Sequence, residues 1–425
     1  MPTNHTSSHH VLKQLLQNKS IDELKNNLSQ KNYPTKRAAT GNNCEAIIER
    51  WKMLNLSPEV QNALYNEDTA EQEAYSYRKN IENYIGTVKV PVGLAGPLRV
   101  NGLFAQGDYF IPLATTEAAL VASYNRGIKL ITESGGCTSI LFNSYINRCP
   151  CFAFHNLIEA GEFLIWINQN FDIIKKQAEL TTRYGKLVDL RFLVEGNRVF
   201  FSFDYQTGDA SGQNMVTIAT QAAYDYIKLH SPVKIKYSFI ESNMSGDKKA
   251  YILAFQNTRG RKVVAEVLIN KNLVQEKLHT DVDTMVQFSN TSAIGATLSG
   301  VIGVHGHYAN ALAALYIACG QDAACVAESA MGVTRFEKTS TGDLYASVTL
   351  PSIVVGTVGG GTSLPSQNSC LQILNLSGVG QANAFAEVAA GLCLAGEISI
   401  SAAMCSDTFT QAHQRLARPV AAENS

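Results

Sequence analysis

The chain has 425 residues, enough for two or three packed domains at about 150 residues each. Its 35 basic and 36 acidic residues give a formal net charge of −1, which provides no bulk field to attract nucleic acid or an anionic membrane. Charged residues make up only 17% of the chain and glycines number 31, which indicates that much surface is hidden in a core or a subunit interface.

Residues 1–80 predict an N-terminal helical region. Apolar residues recur there at helical spacing, over residues 12–16, 21–28, 47–54 and 60–64. The composition changes near Ile85, where glycine and proline punctuate an apolar run. Such a run cannot form one long helix, so it predicts strand and turn, and a compact domain begins at about residue 81.

Residues 150–239 predict a small α+β unit inserted into a larger domain. A helix is expected over residues 159–177, strands over 187–194 and 198–205, a second helix after Asp209, and a strand over 233–239. This order is typical of helices packed on one face of an antiparallel sheet.

The larger domain is expected to combine residues 81–149 and 240–425. Strands are predicted over residues 250–255 and 262–269, followed by long helices rich in alanine and glycine. The most apolar window, residues 385–404, contains Glu387 and Glu397 among many small residues. That composition predicts a tightly packed helix of a soluble protein rather than a membrane span.

The nine cysteines predict a reduced, cytoplasmic protein without a disulfide framework. Their number is odd, they are scattered, and no apolar signal-peptide core follows Met1. The pair Cys149 and Cys151 lacks the two-residue spacer of a zinc or redox site. His305 and His307 have no Cys or carboxylate at ligand spacing, so no metal site is expected.

Three charged groups are candidates for chemistry. Thr115 and Thr116 could cap a helix that has Glu117 in its first turn, where a helix dipole alone would explain the carboxylate. Lys248 follows Gly246 in a turn, and lysines in turns are usually solvated. Asp322 lies in an apolar, helical neighbourhood and needs a partner to stay ionised. Spacing alone names no reaction for them.

Six segments resemble, in order, the motifs of the 3-hydroxy-3-methylglutaryl-coenzyme A reductase family. They are ENYIGTVKVPVGLAGPL, PLATTEAALVASYNRG, TGDASGQNM, GDKKA, LYIACGQDAA and DLYASVTLPSIVVGTVGGGT, within residues 75–418. The segment Asp247-Lys248-Lys249 is similar to the class I form of that family. The resemblance implies an α+β fold, with a large dimerisation domain and an inserted ferredoxin-like NADP-binding domain at residues 150–239, and a homodimer or homotetramer.

The resemblance also implies a reaction, the NADPH-dependent four-electron reduction of hydroxymethylglutaryl-CoA to mevalonate and CoA. By position, Glu117 is similar to the family's catalytic acid, its pKa raised by burial and by Asp322. Lys248 is similar to the lysine that stabilises the oxyanion, and Asp322 to the carboxylate that joins the two. His413 is similar to the histidine that protonates the departing thiolate.

For the cofactor, the resemblance implies NADPH rather than NADH. A guanidinium suits a 2′-phosphate, and Arg183 stands between Thr182 and Tyr184 where the family contacts that group. The further cofactor-binding candidates are Asp209, Gly212 and Asn214.

For the substrate, the resemblance implies binding by Arg126, Arg148, Lys249 and Asn310. Two positions depart from the family's pattern, because Glu241 replaces a serine and Thr291 a lysine beside the distal carboxylate of the substrate. Three interpretations stay open. In the first, Glu241 points away and the enzyme makes mevalonate. In the second, the substrate is another acyl thioester, on CoA or a carrier protein, without that carboxylate. In the third, the chain is a non-catalytic relative, against which the four intact catalytic positions argue.

Overall fold

The structure, a computed structural model, describes residues 16–30 and 38–406. The chain divides into two compact units, Met1–Val88 and Lys89–Ser425.

The first unit is helical, as its apolar spacing predicts. Its described helices are α1 (Ile21–Ser29), α2 (Cys44–Leu54), α3 (Pro58–Leu64) and α4 (Ala70–Tyr77). Ser20 and Glu23 form a capping box at the start of α1, but α1 buries no side chain. The core of the unit gathers around Ile47, Trp51 and Tyr84. Most of the predicted patch over residues 12–16 lies outside the described residues.

Within the second unit, residues 151–239 form a small antiparallel sheet with three helices. The elements are β4 (Cys151–Ala153), α6 (Leu157–Gln169), α7 (Phe171–Glu179), β5 (Lys186–Glu195), β6 (Arg198–Gln206), α8 (Gln213–His230) and β7 (Tyr237–Phe239). Strand β6 pairs with β5 on one side and with β4 on the other. The helix predicted over residues 159–177 is divided at Asn170, and the predicted strand over 233–239 shrinks to three residues because Val233 and Ile235 pack against the core from a loop.

The remainder of the second unit is built on a larger sheet. Its elements are β1 (Val92–Gly102), β2 (Gln106–Ala114), α5 (Leu120–Glu133), β3 (Cys137–Arg148), β8 (Gly260–Ile269), α9 (Lys271–Leu278), α10 (Val282–Ser299), α11 (Tyr308–Ala318), α12 (Val326–Ser329), β9 (Val333–Lys338), β10 (Leu344–Ile353), α13 (Pro365–Ile373) and α14 (Ala382–Cys405). The strands run β2-β1-β3-β8-β10-β9, with only the β1–β3 pair parallel. The end of β3 also pairs with β6, so β3 joins the two sheets. The prediction of an α+β fold is confirmed.

One predicted strand in this region is wrong. Residues 250–255 contain a 3₁₀ turn, Ile252–Phe255, instead of a strand. Ile252 is 73% exposed and only Ala254 of the turn is buried, so this apolar run has no sheet face to cover. The Ala254 amide instead donates to the Tyr251 carbonyl, which closes the chain locally.

Helix α14 forms the centre of the larger core. By length and composition it could cross a membrane, but 83% of its most apolar window is buried inside the protein's own structure. Helix α5 crosses it closely at Gly127, where an added Cβ would lie 1.9 Å from the Ala395 carbonyl oxygen. Small residues therefore serve helix packing here, as the sequence indicates.

Two fully buried glutamates on α14 are satisfied by backbone donors. Glu387 accepts the amides of Leu103, Phe104 and Ala105 at the β1–β2 turn, and the Leu141 amide. Glu397 accepts the amides of Gly306 and His307, the His307 ring and the Thr334 hydroxyl. A buried carboxylate is tolerated only with such partners, so each glutamate fixes a loop against α14.

Glu397 makes a testable contribution to stability. Burial alone would raise its pKa, but the hydrogen bonds from His307 and Gly306 outweigh burial and lower the pKa from 4.5. The folded state therefore binds this proton less readily than the unfolded state, so the stabilisation is present above about pH 4.5 and is lost as the pH falls through the folded pKa. Glu397→Gln is expected to lower the free energy of unfolding by about 2–4 kcal/mol at pH 7.

Urea unfolding at pH 7 and pH 4 measures this difference. The difference in the free energy of unfolding between wild type and Glu397→Gln should narrow at pH 4, because the carboxyl group of the unfolded chain protonates there and the advantage of the folded carboxylate shrinks. A difference of the same size at both pH values would contradict the argument.

Candidate active site

Lys248 and Asp322 form an ion pair on the surface of the larger region. The Lys248 ammonium lies 3.0 Å from an Asp322 oxygen, and the two side chains are 45% and 44% exposed. The hydrogen bond to Asp322 raises the pKa of Lys248, so the ammonium stays charged at neutral pH. The pair presents a positioned cation to an open surface.

A buried network holds the backbone of Lys248 in an unusual conformation. Lys248 has a φ of 57°, in the left-handed region that a side chain rarely adopts. Its amide donates to Glu328, which accepts a 2.6 Å bond from Arg259, and both of these side chains are fully buried. Arg259 also donates to Asp247. This support fixes the turn, and sequence reasoning missed Arg259 and Glu328.

The electrostatics of the network favour the charged forms of Arg259 and Asp247, whereas burial raises the pKa of Glu328. Burial disfavours the Arg259 cation, but Glu328 and Asp247 more than compensate and raise the pKa of Arg259. Burial likewise opposes ionisation of Asp247, but Arg259 and Arg148 outweigh it and lower the pKa of that carboxyl. The only sequence signal for this network was the presence of charged residues in apolar stretches.

Asp322 lies in a loop rather than inside a helix. It follows the end of α11 at Ala318 and accepts the Ala324 amide, which caps the 3₁₀ turn Ala323–Cys325. One carboxylate therefore orients both the turn and the Lys248 ammonium. Asp322 does have a partner in Lys248, but the helical, apolar surroundings that made a partner necessary in the prediction are wrong, because Asp322 lies in a loop and is 44% exposed.

Glu117 precedes helix α5 instead of occupying its first turn. Its amide donates to the Thr115 hydroxyl, which closes a turn directly after β2. Helix α5 begins at Leu120, after Ala119 in the left-handed conformation. The predicted cap at Thr115 or Thr116 is therefore wrong because the threonine hydroxyl stabilises the turn and not the helix.

The chain keeps Glu117 apart from the lysine and aspartate pair. Glu117 is exposed, and each of its oxygens accepts from the Asn310 amide at 3.2 Å. Asn310 lies near the start of α11, whereas Asp322 follows the end of that helix, about 12 Å further along at 1.5 Å per residue. Among the described residues no hydrogen bond or ion pair joins Glu117 to Lys248 or Asp322. The described chain thus presents two separate groups of candidate residues, here called half-sites: Glu117 with Asn310, and Lys248 with Asp322.

Arg148 lies beside the Lys248 turn and contacts two carboxylates. Its Nη1 is 3.1 Å from Asp247 and 3.4 Å from Glu241. Glu241 also accepts the amides of Cys149 and Asn243. Glu241 therefore does not point away from Arg148. The first interpretation linked mevalonate formation to a Glu241 that points away, and that expectation about its orientation is wrong.

The other predicted substrate-binding residues have different surroundings. The Lys249 ammonium is exposed and donates to the Asp247 carbonyl at 2.8 Å. Arg126 reaches from α5 to the carbonyl and hydroxyl of Ser399 on α14. Thr291 returns its hydroxyl to the Gln287 carbonyl within α10, so this position supplies no cation.

The predicted cofactor-binding residues gather at the start of α8. Gly212, with a φ of 81°, precedes this 18-residue helix, whose first amides have no side-chain cap. The Thr182 hydroxyl lies 2.9 Å from the Met215 sulfur and so brings its turn to the same helix end. Within the described part of the chain, three of the exposed side chains here make no hydrogen bond, those of Arg183, Tyr184 and Asn214. An uncapped helix N-terminus beside an unpaired guanidinium suits phosphate.

Both carboxylate oxygens of Asp209 already accept hydrogen bonds from within the protein. Its two oxygens accept the amides of Gly380 and Ala382 at the start of α14. Arg261, which is almost fully buried, donates to the neighbouring Gly208 carbonyl and to Val355. Asp209 therefore anchors the loop that leads into α8. His413 lies outside the described residues.

Comparisons with known proteins agree on one family. Residues 46–418 match the family model described as hydroxymethylglutaryl-coenzyme A reductase. The chain is 40% identical over 347 residues to 3-hydroxy-3-methylglutaryl-coenzyme A reductase of Pyrococcus horikoshii, which covers 80% of this chain and 84% of the relative. It is 41% identical over 348 residues to the protein of that name from Aeropyrum pernix, covering 80% and 82%.

The fold has relatives among solved structures. A class II 3-hydroxy-3-methylglutaryl-CoA reductase from Streptococcus pneumoniae, bound to NADPH in open conformations, aligns with a TM-score of 0.64 and 19% identity. The alignment covers 85% of this chain and 96% of that chain. At this identity the likeness concerns the fold.

Proposed function

Because the chain belongs to the hydroxymethylglutaryl-coenzyme A reductase family, we propose that it reduces 3-hydroxy-3-methylglutaryl-CoA to mevalonate and CoA at the expense of two NADPH. The observation that carries the proposal is the Lys248–Asp322 ion pair, a charged donor held by a buried network beside Arg148. A thioester carbonyl needs such a group when it is reduced.

Lys248 stabilises the oxygen that becomes negative during each reduction step. NADPH supplies the hydride when it is bound. As the carbonyl carbon becomes tetrahedral, its oxygen gains charge, and a fixed ammonium stabilises that charge more than it stabilises the neutral carbonyl. Asp322 restricts the direction of the ammonium, and the Glu328 contact holds its backbone, so little reorganisation is needed.

Glu117 and His413 are the proposed proton donors. Glu117 delivers a proton to the reduced oxygen, with Asn310 orienting its carboxyl group. Because Glu117 is exposed on its own chain and separated from Lys248 by the length of α11, we assign it to the site of a second copy. His413, by its position in the sequence, protonates the CoA thiolate.

The residues at the start of α8 fit NADPH. The free amides of the helix would hold a phosphate group, and Arg183 would pair with the 2′-phosphate that distinguishes NADPH from NADH. Thr182, Tyr184, Gly212 and Asn214 complete the contact surface, and Asp209 keeps the loop in place. Residues 150–239 are accordingly the proposed cofactor domain.

Arg148 and Lys249 are the proposed partners of the distal carboxylate. They flank the Asp247–Lys248 turn, one through an ion pair to Asp247 and the other through its carbonyl. Asn310 contacts Glu117, and Arg126 lies on the helix that follows Glu117 in the chain; both are proposed to line the other half-site.

We assign the chain to the class I form from its Asp247-Lys248-Lys249 segment. The separated half-sites support a homodimer, or a homotetramer built from such dimers. Its nine cysteines, all free in the described chain, support a reduced, cytoplasmic location.

The test is a panel of thioester substrates in which the oxidation of NADPH is measured by absorbance. Hydroxymethylglutaryl-CoA is expected to consume two NADPH per molecule and to give mevalonate, with NADH as a poorer donor. Other acyl-CoA and carrier-bound thioesters form the comparison set, since the Glu241 contact to Arg148 favours a second candidate function, reduction of a thioester without the distal carboxylate. Oxidation of NADPH with none of these thioesters would refute both functions.

A further inference from the structure

Glu241 fills an anion site of the protein with the protein's own carboxylate. One oxygen, Oε2, accepts from Arg148 Nη1 at 3.4 Å and from the Cys149 amide at 3.3 Å. The other, Oε1, accepts the Asn243 amide at 2.9 Å. Two of these donors come from the adjacent residues Arg148 and Cys149, and the third is the amide two residues after Glu241 itself. The Arg148 and Cys149 donors would equally bind a carboxylate from outside.

Arg148 retains unused donors. Its side chain is only 9% exposed, yet its Nε is buried without a hydrogen-bond partner and both of its ion pairs use Nη1. A buried guanidinium nitrogen without a partner is costly, and the Nε edge is one that binds carboxylates in a bidentate manner. Arg148 therefore has hydrogen-bonding capacity that Glu241 and Asp247 do not fill.

The charges around Arg148 are balanced only when Glu241 is counted. The carboxylates and cations that form this cluster are equal in number, namely Glu241, Asp247, Asp322 and Glu328 against Arg148, Lys248, Lys249 and Arg259. Loss of Glu241 would leave the cluster with a net charge of +1. Glu241 therefore weakens the local attraction for an anionic acyl group.

The cluster lies next to the reacting group. Asp247, which binds Arg148, immediately precedes Lys248, so their Cα atoms are about 3.8 Å apart. An acyl chain whose thioester carbonyl meets the Lys248 ammonium and which extends along this turn reaches Arg148. A second carboxylate on a short acyl chain would arrive beside Glu241.

We propose that Glu241 determines which acyl groups the site accepts, by competing as an internal carboxylate for Arg148 and the amides of Cys149 and Asn243. The inference rests on the proposed thioester reductase function. With Glu241 in place, the site binds an acyl group that carries a second carboxylate less tightly than it would if Arg148 were free of Glu241. The affinity for an acyl group without that carboxylate is unaffected.

The experiment compares wild type with Glu241→Ser and Glu241→Gln. The substrates are hydroxymethylglutaryl-CoA and 3-hydroxy-3-methylbutyryl-CoA, which differ in the distal carboxylate. The ratio of their kcat/KM values is expected to shift tenfold or more, by about the strength of one charge-assisted hydrogen bond, towards hydroxymethylglutaryl-CoA in both variants. The shift should appear in KM, because Glu241 touches neither reacting oxygen nor hydride.

The matched control is Glu133→Ser, which removes a glutamate of similar exposure, 33% against 29%, from an ion pair with Lys277. An unchanged ratio in both Glu241 variants would overturn the inference, and a shift with serine but not glutamine would assign the effect to size and overturn it as well. If no variant reduces any thioester, the proposed function fails. The inference is then decided by calorimetry, where Glu241→Ser must bind free 3-hydroxy-3-methylglutarate at least tenfold more tightly than wild type.

Discussion

Replacing Lys248 by alanine is expected to lower kcat for thioester reduction by about a thousandfold. Removal of one donor from an oxyanion site typically lowers kcat by a factor of 10²–10³. Lys248 carries a full positive charge, and its hydrogen bond to Asp322 raises the pKa of the ammonium. The change acts on the transition state, so kcat should fall far more than KM rises. Steady-state kinetics with NADPH absorbance measures both.

Two further variants distinguish the loss of the Lys248 ammonium from structural damage. Lys338→Ala removes a lysine that is 46% exposed and 2.7 Å from Asp283, which closely matches Lys248, and it should leave kcat unchanged. Asp322→Asn keeps the ammonium but loosens its direction, so its activity should fall between wild type and Lys248→Ala. If Lys248→Ala kept a tenth or more of wild-type kcat, with unchanged circular dichroism, the assignment of Lys248 would be wrong.

The strands near the site could be read from the sequence because their patterns are local. Strands β5, β6 and β8 lie within two residues of their predicted bounds, since runs of β-branched and aromatic residues are bounded there by turn residues. The predicted strand over residues 250–255 has a similar composition but faces solvent, and only tertiary packing decides that.

The site residues likewise divide into features that the local sequence predicts and features that only tertiary contacts decide. The turn at Lys248 follows from the Gly246 and Asp247 sequence, but its support by Glu328 joins residues 80 positions apart, which no local pattern contains. The Thr115 hydroxyl could cap a helix or close a turn, and the competition between the two is decided by how β2 enters α5. Charge partners of buried groups therefore have to be taken from the structure.

The distance along α11 gives the site a further property. The Lys248–Asp322 pair lies beyond one end of this helix, and Glu117 with Asn310 lies at the other. In the proposed symmetric dimer, each chain would therefore contribute to two sites. An exposed Glu117 would then be covered by the partner copy, which would exclude water from the proton that it transfers.

Mixed dimers of two inactive variants are expected to regain activity. Glu117→Gln and Lys248→Ala should each be nearly inactive, because every site in either homodimer lacks one group. In a mixed dimer one site receives both substitutions and the other receives neither. Random association of equal amounts makes half of the dimers mixed, so about a quarter of wild-type activity should return. Co-expression with two affinity tags and tandem purification isolates the mixed dimer, where half should return.

A second pair of variants tests the direction of sharing. Lys248→Ala and Asp322→Asn alter the same end of α11, and the 3.0 Å ion pair shows that one chain supplies both groups. A mixed dimer of these two has a defect in each site, so its activity should stay at the mean of the two homodimers. Restoration in this pair would show that Glu117 and Lys248 are not shared between copies as proposed. A failure of the Glu117→Gln and Lys248→Ala pair to regain activity in a verified mixed dimer would show the same.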